Sequence, residues 1–351
     1  MRKMLSREND LKSYDSKEES YLYGYSLDEE MHLNASSGGI MTELLCYLIE
    51  KKIVDYVTCV TNRTATASPE QILTNDIKTI RSSRTSKYCP VKWNNILSKI
   101  EKTDGSVAVV ALPCQINSLK KYYAHKRSNI KYFISLFCNH TPSLYAADFL
   151  VNSVLPGGKL LSIVNRGEGF PGYMKMSVED NQGRERKYKF HFRRVMKAGY
   201  GKFFKNVRCY VCNDPFAKNA DVVMGDSYFL QDNDKKGTTF CIVRNKDMVD
   251  ILYQMKLDGV IDFQIGPDEA KMHNAYKILF TREKMFGIRN AILKKKGIEI
   301  NSPVQAEIYQ PSLWDILKFN KSIFVNTLGR YHFLWKYLAK IKNIKKITIE
   351  L

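Results

Sequence analysis

No segment of the chain approaches the roughly 20 consecutive apolar residues that span a bilayer. The longest apolar runs, residues 53–60 and 107–113, have the length of strands. The first 25 residues hold no apolar leader, because Glu, Asp and Lys interrupt them, so synthesis is expected to end in the cytoplasm. Also missing are G-x-G-x-x-G, the Walker loop, G-x-S-x-G and H-E-x-x-H, which removes the commonest dinucleotide-fold, phosphotransferase and hydrolase signatures. No solenoid or propeller period repeats, and no stretch is low in complexity.

What remains is a globular composition. Of 351 residues, 44% are hydrophobic and 26% charged, enough for a sizeable core. Lys and Arg outnumber Asp and Glu 55 to 36, for a net charge of +19. That surplus invites a polyanion, but it is uneven: residues 281–351 hold 14 basic and 5 acidic side chains, nearly half of it. Nucleic acid is therefore not the expected partner.

Hydrophobic periodicity gives a mixed α/β (α+β) pattern. A strand at 21–27 precedes Ser36-Ser37-Gly38-Gly39 and a helix, with the serines available as caps. A polar loop at 61–70 and a short helix at 69–78 follow. Strands at 107–112 and 132–137 each end on a cysteine loop that leads into a helix, so strand, cysteine loop and helix occur twice. Segments 173–178 and 187–192 flank Asp180 to Gly183 as an antiparallel hairpin would. Another strand ends on Gly225-Asp226, and a basic helical tail closes the chain. The expected divisions are 1–104, 105–280 and 281–351.

Eight cysteines in a chain without an export signal point to metal, cluster or thiol chemistry. Cys114 and Cys138 follow strands, and Cys209 and Cys212 form a C-x-x-C loop, giving four possible thiolate ligands for iron-sulfur or zinc. Cys46, Cys59 and Cys241 lie in apolar helix or strand positions and are expected in the core. Cys89, in a polar loop, is a spare ligand or a reactive thiol. Ser-Ser-Gly-Gly opening a helix can present backbone N–H groups to a phosphate or act simply as a cap. Lys87 would supply countercharge if its loop folds back, and Asp226 ends a strand where α/β proteins commonly bind ligands.

Taken in order, Ser36-Ser37-Gly38-Gly39, Ser86-Lys87-Tyr88, Leu112-Pro113-Cys114-Gln115, Leu136-Phe137-Cys138, Cys209 to Cys212 and Met224-Gly225-Asp226-Ser227-Tyr228 resemble the coenzyme F-420 hydrogenase/dehydrogenase beta subunit family. The resemblance spans about residues 21–257. It implies FAD and one 4Fe-4S cluster, with Cys114, Cys138, Cys209 and Cys212 as cluster ligands. For the flavin it implies Ser36, Ser37, Gly38, Gly39, Ser86, Lys87 and Tyr88, together with Gly225, Asp226 and Thr238. Many relatives begin with a ferredoxin-like segment, but no cysteine here precedes Cys46, so a second cluster would come from a ferredoxin or another iron-sulfur partner.

The implied function is passage of electrons between a hydride partner and a one-electron partner. The alternative is a zinc-stabilised binding module with a basic surface for nucleic acid or acidic polysaccharide. The tail has three outlets: its own core, an acidic ferredoxin, or an anionic membrane surface. Docking of a ferredoxin is the expectation tested by truncation after Pro311, which would leave both cofactors bound.

Overall fold

The computed structural model describes residues 19–64, 68–230, 235–298, 300 and 310–351. The first 18 residues, read above for a leader, part of the polar loop at 61–70 and the start of the tail's last helical patches lie outside them. Among the described residues two sheets form. The larger has eight strands in the order β12-β1-β11-β10-β6-β5-β2-β4. Their ranges are β1 Ser20–Ser26, β2 Tyr56–Val60, β4 Gln71–Thr74, β5 Val107–Ala111, β6 Ile130–Leu136, β10 Val222–Asp226, β11 Thr239–Val243 and β12 Ile261–Ile265. The second, β13-β9-β8-β7-β3, comprises β3 Arg63–Thr64, β7 Lys159–Val164, β8 Tyr173–Glu179, β9 Glu185–His191 and β13 Thr348–Glu350.

In the large sheet β2, β5, β6 and β10 run parallel, and the strands outside them pair antiparallel. A parallel core must be covered on both faces. Ala108, Ile134, Val222 and Met224 meet the helices Ile40–Glu50 and Lys246–Leu257 on one side. Val107, Val109 and Val223 meet Ile96–Lys102 and Pro113–Tyr123 on the other, as the two-residue side-chain period requires. The eight strands come from both sides of residue 104.

The hairpin is present as β8 and β9, with Gly183 at φ +77° in its turn. Its apolar face packs on the helix Tyr145–Val154. The expected helix at 69–78 is instead β4, followed by the helix Ile77–Ser82. Pairing of β4 along β2 outweighs the weak local helical preference, because edge pairing satisfies a row of backbone groups.

The C-terminal residues belong to the core. Trp335, Leu338 and Ile344 are buried against Phe149, Phe203 and Phe204 beneath the smaller sheet, and β13 extends that sheet beside β9. Trp335 also donates its indole N–H to Gly329 O at 2.9 Å. Removing this much buried surface has a large cost, so packing on its own core, the first of the tail's three outlets, accounts for its inner face. Trp335→Ala is expected to lower the unfolding free energy by about 3–5 kcal/mol in urea titrations followed by circular dichroism, and truncation after Pro311 is expected to leave little soluble protein. A truncated chain that melts like the full one would contradict this packing.

Candidate functional site

Three parallel strands deliver the site. Beyond β5, Pro113 occupies the first turn of the helix Pro113–Tyr123, where a missing N–H costs nothing. The Gln115 side chain accepts from Leu112 N at 2.8 Å, fixing the turn that carries Cys114. Beyond β6, Phe137 N donates to Met224 O at 2.8 Å and Cys138 N to Pro215 O at 3.0 Å, which holds the Cys138 loop against β10 and its neighbours. The third loop is a 3-10 turn, Val207–Val211, capped by the Asn206 side chain, which accepts from Arg208 N. Thr141 N points at Cys209 Sγ at 3.4 Å, and Asn206 N donates to Thr141 O at 3.0 Å. Cys212 leads to buried Asp214, whose carboxylate accepts from Asn117 on the Cys114 helix at 3.0 Å.

These ties bring Cys114, Cys138, Cys209 and Cys212 to one cavity of about 340 Å³, which they line with His140, Asp214 and Arg282. Burial, and then the thiols of Cys209, Cys114 and Cys212, push the Cys138 thiol well above its usual range. Cys114, at the exposed edge of the cavity, is raised as well, by partial desolvation and then by Cys212 and Cys209. A cation bound among them would favour the thiolate forms that burial disfavours at Cys138 and Cys114. The other four cysteines are buried: Cys46 on the inner face of the helix Ile40–Glu50, Cys241 in the same core, Cys59 in β2, and Cys89 with a thiol pushed up to about 11 by burial.

A second cleft, of about 370 Å³, adjoins the first and shares Cys114, Thr141, Arg208 and Cys209 with it. Ser36, Ser37, Gly39, Ser86, Lys87, Gly225 and Asp226 line it. Gly38, Tyr88 and Thr238 are not among the residues that line it. The two serines do not cap the helix Ile40–Glu50; Gly39, at φ +86°, occupies the cap position without a side-chain bond. Ser36 Oγ accepts from Ser86 N at 2.7 Å, and Ser37 Oγ donates to Thr238 O at 2.6 Å. The serines therefore stitch together three segments far apart in sequence. A Cβ on Gly38 would lie 2.4 Å from Gly24 O, so the loop can sit this close to β1 only as glycine.

Lys87 Nζ donates to Ser83 O, Arg84 O and Thr85 O at 2.5, 3.0 and 2.9 Å. Its charge rests on the carbonyl end of the helix Ile77–Ser82, and burial lowers its pKa to about 8. Asp226 is gripped by Arg166, a residue sequence reasoning missed. Arg166 Nη1 lies 2.9 and 2.8 Å from the two carboxylate oxygens, and its Nε donates to Pro171 O. The guanidinium is held near the rings of Phe170 and Phe192. The available signal was a charged residue two positions after the strand β7, close to the strand-end position that singled out Asp226. Arg282, which donates to Cys138 O and to Asn139, lies 144 positions from Cys138 and gave no local signal.

The Arg166–Asp226 pair joins the end of β7 to the end of β10, and so joins the two sheets. Losing one partner strands a buried charge. Asp226→Asn is expected to cost about 3–5 kcal/mol, whereas the double replacement Arg166→Met with Asp226→Leu is expected to cost clearly less; equal losses in urea unfolding would deny that the pair is coupled.

Known proteins share this chain's sequence pattern and fold. The family models for the N-terminal and C-terminal parts of the coenzyme F420 hydrogenase/dehydrogenase beta chain match residues 21–98 and 104–268. An uncharacterized protein of Methanocaldococcus jannaschii is 26% identical over 79% of this chain and 94% of its own length. The beta subunit of F420-dependent formate dehydrogenase 1 from Methanococcus maripaludis is 24% identical over 64% of the chain, which spans only 56% of that relative. A chain of the F420-reducing [NiFe] hydrogenase complex from Methanosarcina barkeri shares the fold, with a TM-score of 0.58 at 17% identity over 83% of this chain and 98% of that one.

Proposed function

The chain belongs to the coenzyme F420 hydrogenase/dehydrogenase beta subunit family, whose members act in oxidoreduction and electron transfer, and on that premise we propose that it is an FAD- and 4Fe-4S-dependent oxidoreductase or electron-transfer subunit. One observation carries the reading: the four-cysteine cavity and the Ser/Gly-lined cleft share a wall made of Cys114, Thr141, Arg208 and Cys209. A flavin exchanges electrons in pairs as hydride or singly, and a 4Fe-4S cluster exchanges them singly.

The donor set fits a cluster better than a lone ion. Among the described residues no three Cys, His, Asp or Glu groups gather closely enough to hold one metal ion. A cluster instead takes one thiolate at each iron and spreads its ligands around a cube, which suits four thiols around one cavity. The zinc-module alternative therefore has less support. Thr141 N–H, directed at Cys209 Sγ, favours the thiolate form and tunes any redox centre held there. Gly39 leaves the first N–H groups of the helix Ile40–Glu50 without a side-chain partner, where an anionic phosphate is favoured.

The partners implied are a hydride donor or acceptor at the cleft and a ferredoxin or other iron-sulfur protein. Among the described residues no helix is long and apolar enough to cross a membrane.

Anaerobically purified protein is expected to show flavin bands over a broad iron-sulfur absorbance, with about four iron and four sulfide per chain; a colourless, zinc-containing protein would overturn the proposal. Ser at Cys114, Cys138, Cys209 or Cys212 is expected to lower iron content, while Cys46→Ala, Cys59→Ala and Cys241→Ala keep it. Gly39→Val is expected to lower flavin occupancy more than iron content, since a side chain at that left-handed position disturbs the helix start. Unchanged flavin stoichiometry in a folded Gly39→Val protein would make the glycine a simple cap.

A further inference from the structure

The helix Leu313–Leu328 turns opposite faces to different neighbours. Its inner face carries Phe319, which packs with Ile288, Ile292 and Tyr210 on the cysteine loop. Tyr210 donates its hydroxyl to Ser322 O at 3.1 Å and its carbonyl accepts from Arg289 at 2.7 Å, so this face is committed to holding the C-x-x-C turn. At 100° per residue, Trp314, Leu317, Lys321 and Phe324 follow the 3-4-3 spacing of a single stripe about half a turn away from Phe319. Trp314 is 71% exposed, Leu317 58% and Phe324 64%.

The helix Trp335–Ile341 repeats the arrangement. Trp335 and Leu338 are buried, whereas Phe333, just before it, and Tyr337 and Ile341 within it are 73%, 64% and 70% exposed at spacings of four. Soluble monomers rarely leave such large side chains open in rows.

The charges beside the rows have one sign. From residue 310 to 349 there are eight Lys or Arg and one acid, Asp315, and that acid is engaged in the capping box with Ser312. Lys318, Lys321, Lys336 and Lys340 lie among the exposed apolar side chains. Trp, Tyr and Phe with lysines at their flanks suit the boundary between acyl chains and headgroups, since the rings enter and the lysine stems let the ammonium groups reach anionic lipid. Neither helix is long and apolar enough to span.

We propose that the outward faces of these two helices seat the protein on the surface of an anionic lipid bilayer. The proposal is independent of which cofactors the two cavities hold. An acidic electron-carrier protein suits the face less well, because the helix itself stands between the stripe and the cysteine loop it covers.

The test uses the full chain in flotation with vesicles of phosphatidylcholine alone or mixed with phosphatidylglycerol. The chain is expected to float with the anionic vesicles only, and to be released as salt rises. Trp emission is expected to shift to the blue on binding, with the shift lost in Trp314→Phe while binding persists. Because Leu317, Phe324, Lys318, Lys321, Lys336 and Lys340 face away from the core, both Leu317→Glu with Phe324→Glu and the four Lys→Glu replacements are expected to leave the melting temperature unchanged. Each set is expected to weaken vesicle binding by about tenfold or more. Failure of the intact chain to float, or equal binding by the folded variants, would overturn the proposal. A concentration-dependent dimer abolished by Leu317→Glu with Phe324→Glu, or binding to an acidic ferredoxin abolished in the same way without vesicle binding, would assign the face to protein instead.

Discussion

Ala111 pairs with Ser135, and Leu136 with Met224, so β5, β6 and β10 run side by side in parallel and end almost level. Parallel strands reach this arrangement only through crossovers that cover the sheet on both faces, and their carboxyl ends are left as one open edge. Cys114 and Cys138 follow the ends of β5 and β6, and Gly225-Asp226 are the last two residues of β10. Strand register therefore brings the candidate site's residues to one edge of the sheet. A slip in that register would separate the thiols and move Asp226 away from Arg166.

Longer-range ties then hold the open edge. Arg166 crosses from the smaller sheet to Asp226. Arg282 reaches back to the Cys138 loop, and Tyr210 is clamped between Arg289 and the helix Leu313–Leu328. Part of the basic surplus near the C terminus thus serves carbonyls beside the cysteines. The remaining lysines lie on the outside of helices whose inner faces are packed. One segment therefore supports the cysteine loop, completes the smaller sheet through β13 and presents a basic apolar surface.

The legible parts of the fold were those in which one short stretch determines one element. Val107 to Ala111 is β-branched and alanine-rich, and Asp180 to Gly183 marks a tight turn, so strand ends and the hairpin could be read from the chain. The strand-end positions of Cys114 and Cys138 and the C-x-x-C spacing of Cys209 and Cys212 picked out four cysteines that line one cavity. The strand β4 was not legible, because it exists by pairing with β2. Arg166 and Arg282 were missed for a related reason: each acts on a loop 60 or more positions away. The Ser-Ser-Gly-Gly loop was located correctly, but the serines read as caps form cross-links to Ser86 and Thr238, which only the tertiary fold could bring near. Burial of Trp335 likewise depends on Phe149 and Phe204, nearly two hundred and more than a hundred positions earlier.

If the four-cysteine cavity and the Ser/Gly-lined cleft hold the cluster and flavin proposed for them, their shared wall leaves electrons only the Cys114–Cys209 side of the cleft to cross. Electron paramagnetic resonance of partly reduced protein tests this directly through the magnetic interaction between the one-electron-reduced flavin and the reduced cluster. The account predicts a flavin signal that relaxes rapidly in the intact protein and returns to slow relaxation when Cys114→Ser removes the cluster. A flavin signal that relaxes slowly while the cluster is present and reduced would contradict it.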